Sequence, residues 1–287
     1  MTDDPAKVQL FYADIGNFVR ALDLIDQGSD PKAVLQREYI DPASPGLKEY
    51  LREKGKSIKD YVEALEKRPE QFAALRGLQA QLMPEESRIR KALSELGNII
   101  SNPVFIPAYY FVGLSGGFSA EPSEYGIMIA VSELAEDPAI VRLAFVHETI
   151  HVQQALAVGI EEFMQIFGPK MSLLTLSIRE GAAYFLTLLS TGEHTLEDTH
   201  VYFVENEEDI WERFRDEMND RHPGDWLYVK PKDPDQPSDL GYLMGARICE
   251  AFYERAEDKD QAIQDILSVI DYGEFLRKSG YGTKISR

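Results

Sequence analysis

The sequence predicts a mostly α-helical, α+β protein with one small sheet. Three observations carry this. Amphipathic segments of helical period, punctuated by Pro and Gly, fill the first hundred residues. Only two short stretches, 102–112 and 125–131, concentrate β-formers. A long apolar helix-like run, 138–158, comes directly after the second of them.

In chain order, the helical segments expected first are 5–27, 31–39, 46–54, 57–67, 69–82 and 84–96. Pro5, Pro31, Pro69 and Pro84 open four of them, where a missing N–H costs nothing. Val104, Phe105, Ile106, Tyr109, Tyr110, Phe111 and Val112 then form a strand, with Pro107 at an edge or at the strand start. A Gly-rich loop leads to the second strand, and the two are expected to pair as a small antiparallel sheet beside the next helix. That helix starts at Asp137-Pro138, an N-cap and then Pro at the first position, and stops at Gly159. A second apolar helix spans 173–189, a polar loop 191–200, and a charged helix 207–218. The Pro- and Asp-rich stretch 223–238 reads as irregular, and the last helices span 240–255, 261–270 and 272–277. At 287 residues the chain divides into a helical region, 1–100, packed on a core, 101–287, as one continuous unit.

The chemistry is concentrated in His147-Glu148-Thr149-Ile150-His151, an HExxH pattern inside the 138–158 helix. Residues four apart lie on one helix face, so both imidazoles reach one metal. Zinc lowers the pKa of its bound water to about 7, and Glu148 can take the proton as that water attacks a carbonyl. A catalytic zinc needs a third protein ligand and one open position. Glu180 is the best candidate, because a carboxylate inside the apolar 173–189 run needs a partner. Gly181 and Ala182 beside it would let this helix approach the HExxH helix closely. Tyr242, between Gly241 and Gly245 at the start of a helix, is the candidate donor to the oxyanion. His200 and His222 sit in polar loops, and Arg247 is expected to pair with a local acid.

HExxH with a downstream Glu180-Gly181-Ala182-Ala183 resembles the gluzincin zinc metallopeptidases, which use two His and a later Glu. Within that clan the chain is similar to a bacterial group described as predicted zinc-dependent proteases. Further echoes are Asp14-Ile15-Gly16-Asn17-Phe18, the Gly-rich stretch from Val112 to Gly117, and Gly241-Tyr242-Leu243-Met244-Gly245. The resemblance runs loosely from Val8 to the C-terminus, and only HExxH and the Glu180 segment are specific. It implies zinc on His147, His151 and Glu180, Glu148 as general base, a peptide or protein substrate, and a strand flanking the cleft that an extended peptide can join. Many gluzincins carry an acidic residue four after the glutamate ligand, which orients a zinc histidine. Here that position is Tyr184, so the orienting group comes from its hydroxyl or from elsewhere.

Composition narrows the partners. A net charge of -19 disfavours nucleic acid and anionic membrane, both polyanions. No apolar run is long enough for a transmembrane helix and no signal peptide is evident. The start at Met1 suits a cytoplasmic protein and equally an extracytoplasmic one whose leader has been removed. The single cysteine, Cys249, forms no internal disulfide and falls at helical spacing among Met244, Ile248 and Phe252, as a buried thiol would. Three other readings compete. A peptidase-like fold could bind a partner without catalysis. Glu148-x-x-His151 and Glu197-x-x-His200 could form a di-iron carboxylate centre, although Glu197 comes after Gly192 in a polar loop. Gly113-Leu114-Ser115-Gly116-Gly117 matches the nucleophile elbow of serine hydrolases but lacks the strand–helix context that motif needs.

Overall fold

The structure, a computed structural model, describes residues 1–114, 119–133, 137–228 and 236–282. Its elements run β1 (Leu10–Phe11), α1 (Ala13–Asp26), α2 (Pro31–Leu35), α3 (Pro45–Glu53), α4 (Ile58–Lys67), α5 (Pro69–Ala73), α6 (Leu78–Leu82), α7 (Glu85–Ile99), β2 (Ala108–Phe111), β3 (Ala120–Pro122), β4 (Ile127–Ala130), α8 (Pro138–Val158), α9 (Ile160–Met164), α10 (Leu173–Thr191), α11 (Glu197–Glu205), α12 (Glu207–Glu217), α13 (Leu240–Arg255), α14 (Lys259–Leu267) and α15 (Tyr272–Ser279). The chain is mostly helical with one small mixed sheet, and no described helix is long and apolar enough to cross a membrane. It forms two units, 1–94 with 104–149, and 95–103 with 150–287.

In the first unit, local chemistry sets the helix starts. Asp30 accepts from Ala33 N at 2.8 Å ahead of Pro31, and Ser44 accepts from Leu47 N at 3.2 Å ahead of Pro45. Ser57 and Asp60 form a reciprocal capping box at α4. The first expected helix, 5–27, is interrupted. Leu10 and Phe11 leave the helical path because their backbone joins β2 in parallel, and the Phe11 ring stacks on Tyr109 at 4.8 Å.

The sheet order is β1-β2-β4-β3. The antiparallel pairing expected between the two strand stretches is corrected: Ala108–Phe111 runs parallel to Ile127–Ala130. The hairpin partner of β4 is β3, joined through Ser123 and Gly126, with Ser123 N donating to Gly126 O at 2.8 Å. Ala120-Glu121-Pro122 carries little β signal, and Pro122 fits only because β3 is an edge strand. Burial explains the parallel pair. All four residues of β2 and of β4 are buried, and a strand covered on both faces reads as a continuous apolar run.

Beyond β2 the backbone is held by side chains. Tyr39 hydroxyl donates to Val112 O at 2.7 Å and accepts from Val112 N at 3.1 Å, and Tyr61 hydroxyl donates to the same oxygen at 2.8 Å. Tyr50 hydroxyl donates to Leu114 O at 3.0 Å and accepts from Leu114 N at 2.7 Å. Burial holds the Tyr39 and Tyr61 hydroxyls far above the usual phenol range, so both stay protonated donors. Of the Gly113 to Gly117 motif, Gly113 and Leu114 belong to this arrangement, and Ser115, Gly116 and Gly117 lie outside the described residues.

Helix α8 begins as expected, with Ala139 N donating to Asp137 Oδ1 at 2.8 Å, and ends at Gly159, whose φ of +87° suits glycine. Its first half is fastened within the first unit by a buried ion pair, Arg142 Nε to Glu85 Oε2 at 2.7 Å. The division between the units falls inside α8, between Thr149 and Ile150.

The second unit is organised on α10, whose residues from Leu173 to Thr187 are all buried. The close approach that Gly181 permits is to α13, not to the HExxH helix. A methyl added to Gly181 would stand 2.1 Å from the Gly245 carbonyl carbon, and one added to Gly245 would stand 1.7 Å from Ser177 O. The two helices therefore touch backbone to backbone. The polar loop expected over 191–200 is shorter, because α11 starts at Glu197. Cys249 is fully buried on α13, and burial pushes its thiol up in pKa, which suits a packing role. Arg247 pairs with Glu207 at 3.0 and 3.1 Å and also with Glu250, as expected of a local ion pair. Residues 229–235 of the irregular stretch lie outside the described residues.

The glycine contact gives a stability prediction. Gly245→Ala cannot be accommodated by a rotamer change, because the obstacle is main chain. It should lower stability by about 3 kcal/mol or more, at the upper end of overpacking. Gly77→Ala, whose methyl meets only Gln81 Nε2 at 3.6 Å, should stay within about 0.5 kcal/mol. Denaturant midpoints of both variants against the parent check this.

Candidate metal centre

The second unit alone places His151 against Glu180. His151 Nε2 and Glu180 Oε2 are 3.1 Å apart, on side chains that are 3% and 6% exposed. His147, one turn earlier on α8, completes a buried group in which one ligand atom from each of His147, His151 and Glu180 lies within 4.8 Å of the others. Among the described residues this is the group of His, Cys, Asp and Glu side chains suited to a metal ion. Glu197 and His200 are not part of it. His200 stands on α11 against the His194 ring at 3.9 Å, and burial, then His194 and Arg247, lower its pKa.

No family model, no curated protein and no solved structure matches the chain. The chemistry of the site therefore rests on its own geometry.

Hydrogen bonding around His151 decides what the pair can hold. Gln154 Nε2 donates to Arg179 O at 3.0 Å, which orients the side-chain amide and leaves Gln154 Oε1 as the acceptor. His151 Nδ1 is 2.7 Å from that oxygen and must donate to it. Nε2 of the neutral ring then carries a lone pair aimed at a carboxylate oxygen 3.1 Å away. Two acceptors at that distance repel unless a cation lies between them. A proton would satisfy the pair alone, whereas a third donor, His147, in the same buried space matches a metal ion. Two imidazoles and a carboxylate suit a divalent transition-metal ion, and tetrahedral bonds of about 2.0–2.2 Å would space neighbouring ligand atoms by about 3.4 Å.

The far oxygen of Glu180 is also held. Tyr228 hydroxyl donates to Glu180 Oε1 at 2.7 Å, and Arg179 Nη2 lies 3.9 Å from the same atom. Tyr228 is a non-glycine residue at φ +67°, a conformation that costs of order 1–3 kcal/mol and persists where the surroundings impose it. Its N–H donates to Asp239 Oδ1 at 3.2 Å, and Asp239 is also left-handed at φ +65°. Burial, opposed by its hydrogen bonds from Ser238 and Tyr228, raises the Asp239 carboxyl above its ordinary value.

Tyr184 does not supply the orienting group. Its hydroxyl is 2.8 Å from His194 Nδ1, and burial pushes it up to about 12. The orienting role on His151 falls to Gln154, three residues further along α8, where the i,i+3 spacing is visible in the sequence. Tyr228 has no such signal, being 48 positions from Glu180. Glu148 is half-buried beside His147. Tyr242 is half-buried, with its ring edge-on to Tyr228 at 6.2 Å, one side chain removed from Glu180. His222 is exposed.

Outer partners of metal ligands contribute about 10–100-fold in affinity. If the group holds a divalent metal ion, Gln154→Ala and Tyr228→Phe should each weaken its binding by that factor while leaving the circular dichroism spectrum unchanged. Competition titrations with a chromogenic chelator measure it, and parental affinity in both variants would remove them from the site.

Proposed function

We propose that this chain is a zinc-dependent hydrolase of the gluzincin kind that cleaves peptide bonds. The observation that supports it is the convergence of two buried imidazoles of the HExxH helix α8 with a buried carboxylate of α10, the three ligand atoms lying within 4.8 Å of one another. His147, His151 and Glu180 would hold the ion, and three protein ligands leave one position open. When bound, the ion supplies Lewis acidity at that position.

The chain's own residues do the rest. Glu148 follows the first histidine and is half-buried; the role given to its carboxylate is to accept the proton of an attacking water and return it to the departing amine. Gln154 fixes the His151 tautomer, and Tyr228 fixes the rotamer of Glu180 through its second oxygen. Tyr242 hydroxyl is the donor assigned to the oxyanion that forms on the substrate carbonyl, where it acts more strongly in the transition state than in the ground state.

Purified protein should hold one zinc per chain by mass spectrometry of metals and should cleave an unstructured protein substrate, with activity lost to a chelator. Glu148→Gln should keep its zinc and lose turnover by several orders of magnitude, because an amide cannot take a proton. His147→Ala should lose both. A zinc-loaded parent without turnover would leave a binding protein, and two irons with redox activity would leave a di-iron protein.

Tyr242→Phe should lower turnover by about 10²–10³ with zinc content unchanged, the usual effect of removing one oxyanion donor. Parental turnover in this variant would assign Tyr242 to packing.

A further inference from the structure

Asp239 stands where a helix cap belongs and does not cap. It is the N-cap residue of α13, and its side chain accepts no hydrogen bond from that helix. An Asp at this position ordinarily has an extended backbone and takes the N–H of the second or third helical residue. Here the backbone is left-handed, at φ +65°, and the carboxylate of this half-buried residue accepts from Tyr228 N at 3.2 Å. The Ser238 hydroxyl donates to the same carboxylate. A cap is a stabilising contact, so a side chain that forgoes it for a distant backbone N–H is serving that N–H.

Tyr228 carries the hydroxyl that donates to Glu180 Oε1 at 2.7 Å, and its own backbone is left-handed, at φ +67°. Asp tolerates that region, whereas a bulky aromatic residue enters it only where its surroundings impose it. Half of the Tyr228 surface is open to solvent, so burial alone does not fix the ring. Two backbone rungs clip 226–228 to the start of α13 instead. Gly241 N donates to Trp226 O at 2.9 Å, and Tyr228 N donates to Asp239. The first rung is anchored by packing: Trp226 is buried, its Nε1 donates to Glu217 Oε2 at 2.8 Å, and a methyl on Gly241 would stand 2.7 Å from Leu227 Cγ. The second rung ends on the Asp239 carboxylate, directly at the strained residue.

We propose that Asp239 is a positioning residue of the metal centre, acting through Tyr228. Its carboxylate holds the Tyr228 backbone in the left-handed conformation from which the hydroxyl reaches the far oxygen of Glu180, and in this way fixes the rotamer of that ligand. The inference rests on the reading of His147, His151 and Glu180 as a metal site, and it is independent of whether the protein hydrolyses anything.

Zinc is the probe ion, with affinity read by competition against a chromogenic chelator. Asp239→Gly removes the acceptor and keeps a left-handed backbone, which glycine adopts freely. It should weaken zinc binding about tenfold, the lower end for outer partners of metal ligands. Asp239→Asn keeps an acceptor oxygen and should bind as the parent does. In a Tyr228→Phe background Asp239→Gly should change nothing further, because the hydroxyl through which it acts is gone, whereas a merely structural role would multiply the two losses. Replacing the Tyr228 N–H by an ester oxygen removes the donor and keeps Asp239. It should match Asp239→Gly, and it decides the question if that variant does not fold. Parental affinity in Asp239→Gly, equal losses in Asp239→Gly and Asp239→Asn, or multiplied losses in the double variant would overturn the proposal. A crystal structure of metal-free Asp239→Gly adds a readout that needs no ion: the Tyr228 hydroxyl should leave Glu180 Oε1. A hydroxyl still in place, in a protein whose parent binds zinc, sinks the positioning role and leaves the metal centre. A released hydroxyl, with a parent that binds no zinc, sinks the metal reading and leaves Asp239 as the residue that positions Tyr228.

Discussion

The contact between Gly181 and Gly245 constrains most of the second unit. Backbone-to-backbone approach fixes the rotation of both helices, because neither can turn without driving a side chain into main chain. Glu180 precedes one glycine and Tyr242 lies three residues before the other, so both are set by the same crossing. Helix α10 is buried along most of its length, which removes any solvent-facing alternative for Glu180. A carboxylate in that setting is tolerable only with strong partners.

The partners form a closed chain of assignments. The Arg179 carbonyl orients Gln154, Gln154 orients His151, and His151 faces Glu180, whose other oxygen is held by Tyr228. Each link removes a degree of freedom from the next, so the side-chain arrangement that could hold an ion is set by the protein alone. Convergence of that kind is what lets a binding site hold an ion tightly, since little ordering is left to occur on binding.

How far the fold and the site are legible in the sequence depends on the range of the forces involved. Local signals are readable: the Asp137 cap, the Gly159 stop, the Pro-led helix starts and the i,i+4 histidines all act within one or two turns. Glu180 is readable as a polar residue in an apolar run. The sheet pairing is not, because Leu10 and Phe11 meet β2 across nearly a hundred residues and Pro122 hides an edge strand. Tyr228 is invisible for the same reason, its role depending on a left-handed backbone and a distant carboxylate. Tyr184 misleads because spacing alone puts it on the ligand face, whereas the His194 ring captures its hydroxyl.

The tyrosines around Val112 and Leu114 bear on how an extended ligand can dock. Hydroxyls of Tyr39, Tyr50 and Tyr61 make five hydrogen bonds to that backbone, saturating N–H and C=O groups which a sheet edge would otherwise offer to an incoming strand. A peptide zipped onto this stretch would have to displace phenols that are buried and find no water to compensate them. The first unit thus terminates the continuation of β2 by phenol hydroxyls and not by charge or proline, and β1 and β3 are the outer strands of its sheet.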